Sequence, residues 1–383
     1  MIYLDAAATS AVRREVLEAM WPYLTGDFGN PSSHHTVGES AARALAGARA
    51  AVAQWLGCRP GEVTFTSGGT EADNLAIKGI ALAAPRGRHL VTTPIEHEAV
   101  LASVDYLVRQ HGFEVTFVPV DAAGLVSPDV FAAALRPDTT LASVMLANNE
   151  VGTVQPIAAL AALAHTHGIP FHTDAVQAAG WLDLDVGALG VDALSVSGHK
   201  IGAPKGIGAL FVRGRIPVEP VLHGGGQERG RRSGTENVAG AVALATAARL
   251  STGARPAVAA AASRARDAFV AAVLAEIPDA RLTGHPSERL PATASFVFPG
   301  TNGETVLLEL ERRGVVSSSG SACAAGSEDA SHVLLALGYS DDVARTAVRF
   351  SWGADVSAAD LAAVAPAVGD AVREVAGLGD RRG

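Results

Sequence analysis

Cysteine is scarce in this chain: its 383 residues include only two, Cys58 and Cys323. Neither a disulfide framework nor a cysteine-rich zinc site can be built from so few thiols. His34-His35 and His165-Thr166-His167 lack a cysteine or carboxylate partner at zinc spacing, so no metal site is expected. There is no dense lysine/arginine tract and the formal net charge is -9, which argues against nucleic acid or an anionic membrane surface as a direct ligand. No stretch is long and apolar enough to span a bilayer, and Met1-Ile2-Tyr3-Leu4-Asp5 is not a basic segment followed by an apolar one. A soluble cytoplasmic protein is the expectation. The sequence also has no Walker loop and no Gly-x-Ser-x-Gly nucleophile elbow.

What the chain does have is 48% hydrophobic residues against 18% charged, with 41 glycines, as suits a compact α/β protein with many tight strand-to-helix turns. Its length exceeds what one hydrophobic core usually supports, so a large domain over residues 1–250 and a small one over 251–383 are expected. The first fifteen or so residues are expected to pack with the small domain. Short β-rich runs alternate with helical patterns at Val63–Thr66, Leu90–Thr93, Val115–Val118, Leu141–Leu146, Ile169–Thr173, Ala193–Val196 and Ile207–Val212, which reads as βαβ units around a mostly parallel, seven-stranded sheet. After Thr70, the residues Ala72, Leu75, Ala76, Gly79 and Ile80 repeat with the helical period. A glycine-rich loop at 224–230 leads into an alanine-rich helical region from Asn237 to about Ile277. Ala294–Phe298, helical Glu304–Arg312 and Val348–Trp352 suggest a smaller α+β unit. A helix capped by Ser357 and Asp360 closes it, and Pro366 is expected to kink that helix.

Lys200 ends the run Ser197-Gly198-His199-Lys200 just after one predicted strand, and Asp174 ends another. A lysine and an acid so placed suit pyridoxal 5'-phosphate, which needs an amine to hold its aldehyde as a Schiff base and a carboxylate to keep its ring nitrogen protonated. Ser67-Gly68-Gly69-Thr70-Glu71 lies between strand and helix, where free N–H groups suit a phosphate, although Thr70 with Asp73 fits a helix capping box equally well. Ser197 and His199 are further phosphate donors. His97 opens a helix at the carboxyl edge of the sheet, either stacked on the ring or simply hydrogen-bonded at a helix start. Gln177, three residues past Asp174, is placed to donate to the cofactor's phenolic oxygen. Asn148-Asn149-Glu150 ends a strand on the same edge. Cys323 lies in a run of small residues expected to be mobile, which suits a reactive thiol, whereas Cys58 reads as structural.

Together these motifs resemble the cysteine desulfurases of the NifS/IscS type, within the class V aminotransferase group of pyridoxal-phosphate enzymes. The blocks that carry the resemblance are Tyr3-Leu4-Asp5, Gly29 to Ser33, Ser67 to Asn74, Glu96-His97, Asn148 to Gly152, Asp174 to Gln177, Ser197 to Lys200, Gly224 to Asn237, Ser318 to Cys323 and Val348 to Gly353. Ala6, where the family usually has a polar residue, and Trp352, where leucine is common, depart from the pattern. The resemblance implies the fold type I architecture of pyridoxal-phosphate transferases. In it Lys200 holds the cofactor and shuttles a proton, Asp174 pairs with the ring nitrogen, Gln177 contacts the ring oxygen and His97 stacks on the ring. Gly69, Thr70, Ser197, Gly198 and His199 form the phosphate site, with Thr235 reaching in from the second subunit of a homodimer. Asn149 and Arg349 hold the substrate carboxylate. The implied reaction turns L-cysteine into L-alanine and leaves sulfur as a persulfide on Cys323, for delivery to an acceptor such as an iron-sulfur scaffold or a tRNA thiolation enzyme. Two rivals differ from this reading: a selenocysteine lyase or aminotransferase of the same class, which needs no reactive thiol, and a cofactor-free adaptor for sulfur-relay partners.

Overall fold

The computed structural model describes residues 1–83, 85–319 and 330–380. Strand β1 (Ile2–Tyr3) belongs to the small unit described below. Seven strands then build the main sheet: β2 (Val63–Thr66), β3 (His89–Thr92), β4 (Glu114–Phe117), β5 (Thr139–Ser143), β6 (Phe171–Asp174), β7 (Ala193–Ser197) and β8 (Gly208–Val212). Their order is β2-β8-β7-β6-β5-β3-β4. Every residue of β5 to β8 is buried, as expected for strands covered by helices on both faces, whereas β4 is half-exposed at the edge.

Strands β7, β6, β5, β3 and β4 are mutually parallel, and only β8 opposes its neighbours. Because β2 is antiparallel to β8 and β8 to β7, β2 points the same way as the parallel five. The chain therefore leaves β2, β3, β5, β6 and β7 along one carboxyl edge, the side on which open α/β sheets hold their ligands. Ser67–Glu71, His97, Asn148–Glu150, Asp174–Gln177 and Ser197–Lys200 each close or follow one of those five strands.

The remaining strands form a second, smaller unit. Here β9 (Arg281–Leu282), β10 (Thr293–Val297) and β12 (Ala347–Ser351) make an antiparallel sheet, and β1 pairs in parallel with β11 (Val315–Val316). Helices Gly303–Arg312 and Ala358–Asp380 cover it. Ser357 and Asp360 cap the second of these helices as expected, with Ser357 Oγ donating to Asp360 Oδ2 at 2.6 Å, and the helix runs on through Pro366.

The alanine-rich region is one helix, Val238–Glu276, with Asn237 as its cap. It serves both cores: Leu244, Ala247 and Ala248 are buried with the main sheet, while Phe269 and Val273 are buried in the small unit. In the small unit Phe269 makes edge-on contacts with Phe296, Phe350 and Trp352 at ring-centre separations of 6.2, 5.4 and 6.2 Å. Such rings fill a core more densely than branched aliphatics can, and each edge-on pair adds to the burial energy.

Phe269→Ala removes the ring that touches the other three, and it should destabilise the small unit by about 3–5 kcal/mol. Urea unfolding followed by tryptophan fluorescence reads this directly. A loss below about 1 kcal/mol would show that neighbouring side chains collapse into the space.

Candidate active site

The turn after β2 draws the start of the Gly69–Ala83 helix against the turn after β6. A Cβ on Gly69 would stand 2.8 Å from Val176 Cγ2, so only glycine allows this approach. The first N–H groups of the helix have no intrahelical acceptor and point out of its start. The capping box expected from Thr70 and Asp73 does not form. Instead Glu71 Oε2 accepts from the Ser67 backbone N–H at 2.8 Å, and Arg232 Nε donates to the other oxygen of Glu71 at 2.8 Å. Asp73, released from capping, is buried beneath the site. Thr70 is exposed at the helix start.

Ser197 closes β7, and Gly198–Lys200 forms a single 3-10 turn. Gly198 has no room for a side chain, since its Cβ would sit 2.9 Å from Ile207 Cγ2. Lys200 Nζ donates to the carbonyl oxygens of Ala7 and, at 2.9 Å, Ala8. Ser10 Oγ donates to the His199 carbonyl at 2.7 Å, and Thr9 Oγ1 lies 3.2 Å from His199 Nδ1. Burial and the neighbouring charges of Lys200 and Lys205 push the His199 imidazole down to about 4, so it is neutral near pH 7. Residues 7–10 thus lie as a strap over the lysine turn. Nothing local in Ala6-Ala7-Ala8-Thr9-Ser10 announces this, because the strap contributes mainly backbone carbonyls and small hydroxyls.

Asp174 is buried at the end of β6, where its Oδ1 accepts the Val176 N–H at 2.8 Å. Burial raises its carboxyl above the usual range, and the His97 ring, the Val176 N–H and the Lys200 amine act against that rise. The predicted acid, amine and imidazole are therefore brought close enough to interact. His97 caps the Glu98–His111 helix, accepting the Ala99 N–H on Nδ1 at 3.1 Å. Gln177 Nε2 donates to the Ala7 carbonyl at 3.0 Å. Arg349, on β12 and 2% exposed, donates through Nη1 to the Asn149 carbonyl at 2.8 Å and pairs through Nη2 with Asp5 at 2.8 Å. These contacts join the small unit to the turn after β5.

Thr235 is exposed just before the long helix, and no hydrogen bond joins it to the other donors among the described residues. Cys323 lies outside the described residues. Cys58 is half-buried at a turn, and burial together with Glu62 and Asp185 pushes its thiol up to about 12, which suits a structural thiol. A cavity of about 900 Å³ has Lys200, Gln177, Ala7, Trp181, Arg255 and Trp352 among its walls. Asp174, His97 and Gly69 are not among them, so this cavity reaches the amine but not the acid.

Below the edge lies a buried polar layer that sequence inspection missed. Asp73, Glu96 and Asp174 are all buried, and the fully buried His172 lies beside them. Glu96 Oε1 accepts from Thr93 Oγ1 at 2.7 Å and from the Met145 N–H at 3.0 Å, while its Oε2 has no partner. The available signal was alternation within apolar strands: His172 and Asp174 share one face of β6, and Ser143 and Ser195 are paired in register with them on β5 and β7.

Comparison with known proteins agrees with this geometry. The family model described as aminotransferase class-V matches residues 2–364, and the chain belongs to that family, whose members depend on pyridoxal phosphate. A cysteine desulfurase IscS of Methanosarcina thermophila is 45% identical over 98% of this chain and 92% of its own length. A solved NifS-like protein superposes with a TM-score of 0.90 at 35% identity, covering 97% of this chain and 99% of that one. A structure described as SspA in complex with cysteine superposes at 0.80 with 38% identity, over 92% and 98% of the two chains. Within the family, these relatives place the chain among the cysteine desulfurases of the NifS/IscS type.

The buried layer has a consequence for stability. Burial pushes the Glu96 carboxyl up to about 8. Above its ordinary value of about 4.3 the unfolded chain has released a proton that the folded chain keeps, so this group makes stability fall as pH rises until about 8, where the effect levels off. Glu96→Gln removes this contribution. The thermal midpoint of the cofactor-free variant should fall less steeply across that window than that of the unaltered protein, and parallel slopes would show that Glu96 is ionised in the fold.

Proposed function

We propose that this chain is a pyridoxal-phosphate-dependent cysteine desulfurase that converts L-cysteine into L-alanine and carries the released sulfur as a persulfide on Cys323. The observation that carries the reading is the meeting of Lys200 and Asp174 at the ends of adjacent strands. There the amine's charge favours the ionised acid, within a chain of a family that uses this cofactor.

The residues present fit the group. Gly69 gives a close approach of free N–H groups for a phosphate, and Ser197, Gly198 and His199 lie on the neighbouring turn with Thr70 at the helix start. Asp174 is an anion held out of water, Gln177 offers an amide donor near it, and His97 offers a flat ring. Bound pyridoxal phosphate supplies an electron sink that weakens bonds around the substrate's α-carbon.

The chain's own groups do the rest. Lys200 Nζ accepts and returns the α-proton, and the carbonyls of Ala7 and Ala8 hold it at the edge of the sheet. Asp174 supplies negative charge where the cofactor's ring nitrogen needs its proton. Arg349, already held by Asp5 and the Asn149 carbonyl, has little orientational freedom left to lose when it receives a carboxylate. In the overall reaction L-cysteine and the Cys323 thiol become L-alanine and the Cys323 persulfide, so one C–S bond is exchanged for one S–S bond and no external oxidant is needed.

The reading extends to a homodimer in which Thr235 completes the phosphate site of the second copy, and to a sulfur-acceptor protein such as an iron-sulfur scaffold or tRNA thiolation enzyme. It also places residues 1–250 in a cofactor-binding domain and 251–383 in a domain carrying Cys323. The site of action is the cytoplasm, in keeping with the lack of any helix among the described residues long and apolar enough to cross a membrane.

Two substitutions test this. Lys200→Ala should lose both the absorption of covalently held cofactor and all alanine formation. Cys323→Ala should keep the cofactor absorption yet make almost no alanine from L-cysteine. In the unaltered protein, mass spectrometry after exposure to L-cysteine should find one added sulfur on the Cys323 peptide. Undiminished alanine output by Cys323→Ala would exclude the persulfide route.

A further inference from the structure

His172 lies fully buried between two serines, with Nδ1 2.9 Å from Ser143 Oγ and Nε2 3.0 Å from Ser195 Oγ. Burial pushes the imidazole down to about 3, so it is neutral. A neutral imidazole has one N–H and one bare nitrogen, so the two serines play opposite parts. Ser195 Oγ is also within reach of the Asp73 carboxyl and has a single hydrogen to give. Two arrangements of the protons fit these contacts. In the first, a protonated Asp73 donates to Ser195, Ser195 donates to His172 Nε2, and His172 Nδ1–H donates to Ser143. In the second every direction is reversed, and Asp73 is a carboxylate accepting from Ser195.

The surroundings select the first arrangement. Asp73 Oδ1 is buried without a hydrogen-bond partner, which a neutral carboxyl tolerates far better than a charged one. Two carboxyls, Asp174 and Glu96, act on Asp73, and the nearest nitrogen, His172 Nε2 at 3.7 Å, belongs to a neutral ring. On its own helix Glu71 is paired with Arg232, and Lys78 donates to Asn74. The Lys200 amine and the His97 ring act instead on Asp174. Of two interacting buried carboxyls, the one that faces the Lys200 amine keeps the charge.

We propose that Asp73 is a positioning residue for the ring-nitrogen acid: it carries the proton of the Asp73–Asp174 pair, sets the hydrogen-bond direction through Ser195 and His172, and leaves Asp174 as the charged member. This rests on Asp174 being the acid that serves the cofactor. The geometry gives Asp73 a task that its place in the chain, one turn past the phosphate loop, does not suggest.

The decisive measurement is the tautomer of His172 in holoenzyme labelled with 15N-histidine, its signals assigned by their loss in His172→Gln. The Nδ1–H tautomer is expected near neutral pH. The Nε2–H tautomer would reverse the hydrogen-bond direction through Ser195 and overturn the proposal. Asp73→Asn, whose amide donates in the same direction, should keep the tautomer and the pH midpoint of the bound-cofactor absorption. A midpoint displaced by about one pH unit or more in that variant would show that a negative charge had been removed, again overturning it. Asp73→Ala should lower kcat for L-cysteine about tenfold with KM little changed, and Asn at the same position should restore it. If Asp174→Asn leaves both cofactor absorption and kcat intact, Asp174 is not the acid being served and that clause falls. The tautomer, which needs no turnover, then decides the Asp73 proton alone.

Discussion

Holding one negative charge in a dry place is the constraint on which the site depends. An ionised carboxyl inside a protein is costly unless cations or N–H groups face it. Asp174 meets that condition: the Val176 N–H donates to it, and the Lys200 amine and the His97 ring act on it. Burial raises all three acids of the layer, but Lys200 acts only on Asp174, whereas Glu96 relies on bonds from Thr93 and the Met145 N–H and Asp73 on Ser195. What each side chain faces is what distinguishes three otherwise similar acids.

The sheet topology is what brings those partners together. Inserting β8 backwards between β2 and β7 costs nothing in hydrogen bonding, yet it turns the end of β2 toward the same edge as the parallel strands. Without that reversal the glycine-rich turn would leave on the opposite side from Lys200. Packing then fixes the detail: Gly69 against Val176 ties the β2 turn to the β6 turn, and Gly198 against Ile207 and Ala203 holds the lysine turn down on β8.

Much of this was legible in the sequence. The seven β-rich runs correspond to seven strands, because a strand buried on both faces is written as a continuous apolar stretch. The ends were less readable: of the run at Leu141–Leu146 the regular strand stops at Ser143, although the Val144 and Leu146 N–H groups still donate to the His172 and Asp174 carbonyls. Lys200, Asp174, His97 and Gly69 could be named from residue type and position alone. The sequence left Asp73 open as a capping residue because spacing cannot tell which of two nearby acids, Glu71 or Asp73, bends back to the helix start; Glu71 does so, held by Arg232 from far away in the chain. The strap over Lys200 was illegible for a different reason. Its contacts are made by backbone carbonyls, which every sequence has.

That strap also bears on how the protein is made. Ala7 donates its N–H to Ser351 Oγ across 344 positions of sequence, β1 pairs with β11, and the Ala7 and Ala8 carbonyls receive the Lys200 amine. A ribosome emits the strap early and its partners in β11 and β12 hundreds of residues later. The main sheet can assemble in the meantime, but the segment over the lysine has no neighbouring strand to pair with until β11 emerges. Final ordering of the strap therefore waits for β11 and β12, and a nascent chain halted before Val315 would lack the strand with which β1 pairs.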